Sequence, residues 1–147
     1  MRKNRTADTT SGAVSMLRDA LEGPPPPPAE LREDAHHHWF AIVGGRPASD
    51  WADDQLFIVG QVASAMASIA ELQAVLDREG AIITARTGPK IHPAVAVLDL
   101  ATKRMLALRR ALGMGVDNSR DSRARSEAYR RSRVIAGQLA DEPLLAQ

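Results

Sequence analysis

The 147-residue sequence contains no cysteine. A disulfide framework and any zinc site built on thiolates are therefore excluded, and the reading expected is an intracellular protein. Aromatic residues are scarce, at 3%. A core must then be assembled from Ala, Leu, Val, Ile and Met, which suits close helix packing better than a β-sandwich. No run approaches the roughly 18 apolar residues that a bilayer span requires. The N-terminal stretch MRKNRTADTTSG is basic but is followed by no apolar signal core. A soluble, cytoplasmic protein is the expectation. Neither sign of charge dominates, because 19 basic side chains stand against 18 acidic ones.

The near-neutral balance conceals an uneven distribution. Six arginines lie between Arg120 and Arg133, with only Asp121 and Glu127 among them. Arg2, Lys3 and Arg5 precede the first acid, Asp8. Residues 24–112 carry nine bases and ten acids. A neutral body thus has basic ends, and such ends bind polyanions or remain solvated. The hydrophobic share, 44%, is enough for one folded domain with tails.

Periodicity predicts mainly helix. Val14, Leu17 and Leu21 are at helical spacing before Gly23. Pro24–Pro28 is a stiff spacer of polyproline type and the clearest boundary. A first body helix is expected over 30–44, with Leu31, Ala35, Trp39 and Ile42 inward. The segment GGRPASDW breaks the chain and offers Asp50 or Asp53 as an N-cap. A second helix is expected over 53–79, its apolar surface formed by Leu56, Val59, Val62, Ala63, Met66, Ile69, Ala70 and Leu76. Its length, about 40 Å, exceeds what so small a domain needs for its own core and suggests partner helices.

The stretch ITARTGPKIHPAVAVL begins as a small β-hairpin or ordered loop, with Thr-Gly-Pro as its turn. Pro93 then suits the first position of a helix, and it forces His92 to be extended. Ala94, Val97, Leu98, Ala101, Met105, Leu108 and Leu112 continue at helical spacing to Gly113. This third helix, 93–112, should fold back along the second as an antiparallel pair. Residues 120–140 are rich in Arg, Ser and Ala, and are expected to become helical on binding a partner. The fold class is therefore mainly all-α, a helical hairpin body with a preceding helix, a short extended or β-hairpin connection and flexible basic termini. Its divisions are 1–28, a flexible segment ending in the proline spacer; 29–115, the helical oligomerisation core; and 116–147, a basic tail, partly disordered or helical.

No catalytic constellation is present. His36, His37 and His38 are successive residues, and on a helix they point about 100° apart, so they cannot converge on one ion. Asp50, Asp53 and Asp54 suit the positive end of a helix better than a metal. Gly44-Gly45-Arg46 lacks the spacing of a phosphate loop, and no Ser-His-Asp arrangement exists. Neither cofactor nor metal is expected. The polyanion signal is carried by Arg120, Arg123, Arg125, Arg130, Arg131 and Arg133, joined by Arg2, Lys3 and Arg5. Lys103, Arg104, Arg109 and Arg110 could extend the patch. Tyr129 alone lies nearby, so stacking on single strands is not indicated. Leu56, Val59, Val62, Met66, Ile69, Leu76, Leu98, Met105 and Leu108 are the expected oligomerisation residues.

The order of PPPPAELREDAHHHWFAIV, DWADDQLFIVGQVASAMASIAELQAVLDREGAIIT and GPKIHPAVAVLDLATKRMLALRRALGM resembles the small terminase subunit of tailed bacteriophages over residues 25–115. Pro28, Leu31, Trp39, Asp54, Leu56, Leu76, Gly80, Pro93, Leu112 and Gly113 match. The chain departs from that pattern in two places: His92-Pro93 replaces the commoner Asn-Pro, and MGVDNSRDSRARS keeps only Ser119-Arg120 of a Thr-Pro-x-Ser-Arg continuation. The resemblance implies a non-enzymatic DNA-packaging factor acting in the host bacterial cytoplasm. It would form a homo-oligomeric ring, bind double-stranded viral DNA at the packaging site, and recruit and regulate the large ATPase–nuclease subunit, with no membrane involved. The alternatives are a helix-turn-helix regulator and an assembly protein that binds no nucleic acid. A helix-turn-helix reading meets the difficulty that the second helix carries a single base, Arg78.

Overall fold

The computed structural model describes residues 9–114 and 120–141. Among them the protein is mainly helical, with a two-stranded antiparallel sheet. Five α-helices, α1 (Thr10–Glu22), α2 (His36–Val43), α3 (Asp53–Glu79), α4 (Pro93–Ala111) and α5 (Arg120–Asp141), carry the chain, and strands β1 (Ile82–Ala85) and β2 (Gly88–Ile91) separate α3 from α4. Two compact units divide the chain. One comprises the described parts of residues 1–26, 40–53 and 116–147; the other comprises 27–39 and 54–115.

In the first unit α1 packs on α5. Thr9 caps α1 by accepting the Gly12 amide at 3.2 Å, the role for which a short hydroxyl side chain is suited. Met16, Ile42, Val43, Trp51, Tyr129 and Ala136 are buried. The Trp51 indole N–H donates to the Val43 carbonyl at 3.3 Å, and the Arg46 guanidinium lies 4.9 Å from the centre of the Trp51 ring. Asp19 is buried at the same place and accepts a 2.7 Å hydrogen bond from the Ser49 hydroxyl. Residues 120–141 thus form a regular helix with its own packing partner.

In the second unit Trp39, Leu31, Ala35, Val59, Val62, Ala63 and Ala67 form the core. Gly60 is buried among them. A Cβ there would sit 3.8 Å from both Pro28 Cγ and Trp39 Cζ3, an ordinary packing distance, so Pro28 and Trp39 lie directly against this turn of α3. The bounds of α3 agree with the periodicity. By length and composition α3 is also apolar enough to cross a bilayer, but its first half is packed as a core helix. The first body helix, in contrast, starts later than expected. Residue 30 does not open it; the Leu31 amide donates back to the Pro28 carbonyl, Arg32 is extended, and Glu33–Ala35 make one 3₁₀ turn before α2. Proline stiffness upstream and an Arg32–Asp34 ion pair favour that turn.

The hairpin pairs Ile82 with Ile91 and Ala85 with Gly88. The turn is Arg86-Thr87 and not the expected Thr-Gly-Pro, because Gly88 and Pro89 already pair within β2; Gly88 takes φ +110°, a left-handed value that L side chains rarely adopt, and so lets β2 restart there. Its outward face shows Ile82 and Ile91, 69% and 73% exposed. The α4 helix is well made at both ends. Pro93 is in its first turn, and at the other end Gly113 (φ +66°) and Met114 donate to the Arg110 and Arg109 carbonyls in a Schellman arrangement. Between those ends the expected close antiparallel packing on α3 is not what burial shows: Ala94 is the one buried residue of α4. Its Val97, Leu100 and Leu106 stay exposed.

Candidate nucleic-acid interface

The α5 helix presents its arginines on a support fixed from the other side. Arg125, Tyr129 and Arg133 are four residues apart and therefore share one face with Ala136. Tyr129 is fully buried, and its hydroxyl has no hydrogen-bond partner among the described residues. Burial pushes its phenol above the usual tyrosine range; Asp19 adds to that and Arg133 opposes it.

The two flanking arginines grip the segment after α2. Arg133 donates through Nη1 to the Gly44 carbonyl at 3.4 Å. Arg125 lies 3.9 Å from Asp50 through Nη1. These two are occupied within the chain, though both remain solvent-accessible. Arg131 reaches Glu127 at 3.8 Å, one helical turn away, a pair so exposed that water screens most of it. Arg130 is exposed and forms no ion pair among the described residues. Arg120 and Arg123 lie in the first turn of α5. Arg2, Lys3 and Arg5 lie outside the described residues. The cluster therefore separates into an anchoring pair and an outward pair. The anchors were missed in the sequence, although the four-residue spacing around Tyr129 was there to be read.

The second basic group lies on α4. Lys103 pairs with Asp99 at 2.6 Å, while Arg104, Arg109 and Arg110 form no ion pair among the described residues. Arg109 and Arg110 occupy the last turn, where cations favour the helix dipole.

The histidines are structural. His92 caps α4: its Nδ1 accepts the Ala94 amide at 3.0 Å. An accepting Nδ1 leaves the ring proton on Nε2, which donates to the Glu79 carboxylate at 3.1 Å. Arg78, and then His92, hold the Glu79 carboxyl below the usual range. One side chain thus ties the end of α3 to the start of α4. His36 reaches the Leu31 carbonyl at 3.1 Å. The rings of His37 and His38 are 3.7 Å apart. Burial, and secondarily the charge of His37, push His38 below the usual histidine range, and its Nε2 has no hydrogen-bond partner among the described residues. Among the described residues no group of three His, Asp or Glu side chains could hold a metal ion.

The expected oligomerisation residues fall into two sets. Val59 and Val62 are fully buried within the chain. Leu56, Met66, Ile69, Leu76, Leu98, Met105 and Leu108 are half-buried.

The sequence matches the Hendrixvirinae small terminase family over residues 1–147, the whole chain. The chain belongs to that family. A small terminase has a DNA-packaging role, which agrees with a mainly helical chain bearing basic helices. No curated protein and no solved structure matches this small terminase.

Proposed function

We propose that this small terminase is the DNA-recognition subunit of the packaging machine. It binds double-stranded phage DNA at the packaging site and recruits the large ATPase–nuclease subunit, without catalysis of its own, in the host cytoplasm. The observation that supports DNA binding is the outward pair Arg130 and Arg131 on a helix pinned through Tyr129. Rigid backing lowers the entropy lost when arginines meet phosphates. Arg120, Arg123, Arg125, Arg133, Arg2, Lys3 and Arg5 would extend the contact. Assembly into a ring, with flexible basic termini, would multiply weak contacts from each copy into useful affinity. Half-buried Leu56, Met66, Ile69, Leu76, Leu98, Met105 and Leu108 supply apolar surface for it.

The test is fluorescence anisotropy on packaging-site DNA across a salt series. Replacing Arg130 and Arg131 together by Ala should weaken binding and reduce the salt slope by about two. An unchanged slope would remove these residues from the interface. A second reading, an assembly protein that binds no DNA, draws on Arg125 and Arg133 being occupied inside the chain. It requires that the wild-type protein show no binding even at low salt. A helix-turn-helix regulator is disfavoured by Asp53 and Asp54 at the start of α3, where a recognition helix would meet phosphates.

A further inference from the structure

The helices α3 and α4 carry opposite charge and leave it unused toward each other. On α3 stand Asp53, Asp54, Glu71, Asp77 and Glu79 against Arg78. On α4 stand Lys103, Arg104, Arg109 and Arg110 against Asp99. Among the described residues no lysine or arginine of α4 pairs with an acid of α3, and the cap His92 alone reaches Glu79; Glu71 turns to Arg32, Glu79 also to Arg78, and Lys103 to Asp99.

Each helix also has an outward stripe distinct from its inner face. On α4, Val97, Leu100, Arg104, Ala107 and Ala111 follow one another by three and four residues, so they share a face. Val97 is 53% and Leu100 69% exposed. Lys103 and Arg110 flank that stripe. On α3, Phe57, Gln61, Ser64, Ser68, Leu72 and Val75 do the same. That stripe has apolar side chains toward both ends and small hydroxyls in the middle, where a second helix can approach closely. Asp54 and Glu79 continue it by the same spacing, and its one neighbouring base, Arg78, three residues after Val75, is paired with Glu79 at 3.0 Å. Phe57 is 68% exposed.

Resting on the oligomeric reading above, we propose that the α4 stripe of one copy docks on the α3 stripe of a second copy. Charge complementarity selects this pairing. A two-fold contact of α4 on α4 would oppose like charges, whereas α4 on α3 opposes unlike ones. Because the two surfaces differ, the contact is head-to-tail, and each copy still offers one free surface of each kind. Repetition closes a ring where the rotation from copy to copy allows it, alongside the half-buried apolar residues named above. The outer residues Val97, Leu100, Lys103, Arg104 and Arg110 are the determinants.

The experiment is native mass by light scattering and native mass spectrometry on the full chain. Reversing α4 (Lys103→Glu, Arg104→Glu, Arg110→Glu) should weaken association by about tenfold or more, since like charges then face each other. Reversing α3 (Asp54→Lys with Gln61→Lys) should do the same. A chain carrying both reversals should reassemble, and a mixture of the two reversed chains should give only even-numbered assemblies. Since the sequence has no cysteine, a second test does not depend on those charges. Gln61→Cys with Ala107→Cys should give a ladder of multimers with a short bis-maleimide, and neither single variant should dimerise. An oligomeric wild type whose mass survives the α4 reversal overturns this inference and leaves the ring reading standing. Loss of DNA binding at unchanged mass would do so as well, assigning α4 to nucleic acid. A monomeric wild type would sink both.

Discussion

The two arginine-bearing helices α4 and α5 look alike on paper and are held in different ways. α5 is fixed along its middle. Tyr129 and Ala136 are buried, and Arg125 and Arg133 reach across to residues 50 and 44. α4 is fixed at its ends, by the His92 cap and Ala94 at one and by Leu112 and Gly113 at the other, while its middle shows Val97 and Leu100. A basic amphipathic pattern therefore does not say which arginines are structural. That depends on whether the opposite face has found a partner within the chain.

The sharpest way to break this comparison is to truncate each helix at its most telling side chain. Tyr129→Ala should cost about 3 kcal/mol or more, because a fully buried ring leaves a cavity. For a chain of this length that lowers the melting temperature by roughly 6 °C or more in a thermal scan. Leu100→Ala on α4 should leave the stability of an isolated chain within about 0.5 kcal/mol, as expected for an exposed site. An equal cost at both positions would mean that α4 is as well packed as α5.

His92→Ala probes the end-held helix. Losing the cap should cost about 1 kcal/mol. Amide hydrogen exchange should speed up over Pro93–Val97 first, with α5 unaffected. A uniform increase along α4 would show that its middle, not its end, carries the stability.

A smaller effect separates anchoring from outward arginines. Arg125→Ala with Arg133→Ala should cost about 1 kcal/mol in urea melts, since both contacts are partly solvated. Arg104→Ala with Arg110→Ala should cost the isolated chain nothing measurable. Matching costs would erase the distinction between the two basic groups.

The smallest change is Tyr129→Phe. Removing a buried hydroxyl that has no partner should be neutral or slightly stabilising at pH 7. Its signature lies in alkali. Because burial raises the phenol above its ordinary value of 10.0, the folded state keeps it neutral. That stability is complete below pH 10 and is lost as pH rises further, as the unfolded chain ionises first. The Phe variant should lack this part of the alkaline loss in pH-dependent melts; an unchanged alkaline profile would place the hydroxyl in water.

Much of the local structure was legible in the chain itself. The extent of α3, the hairpin, the place of Pro93 in the first turn of α4 and the stop at Gly113 all follow from short-range rules. The His92-Pro93 step marks a helix start because the proline holds His92 extended, and His92 proves to be the cap. Three features were not legible. Residues 29–35 lack an unambiguous cap, so the start of α2 could not be placed. The Asp19–Ser49 hydrogen bond joins residues thirty apart, which no local pattern signals. The split of the α5 arginines needed knowledge of what lies beside Tyr129.

What the sequence determined by itself is the extent of α3 and both ends of α4, since prolines, terminal glycines and apolar spacing act within a few residues. It also determined the absence of thiol chemistry and the placement of charge at the chain ends. Tertiary structure alone decided which of two apolar faces of α4 stays in water, and which arginines of α5 are occupied. Both outcomes depend on desolvation by segments distant in sequence. Burial is a property of the neighbours as much as of the residue buried.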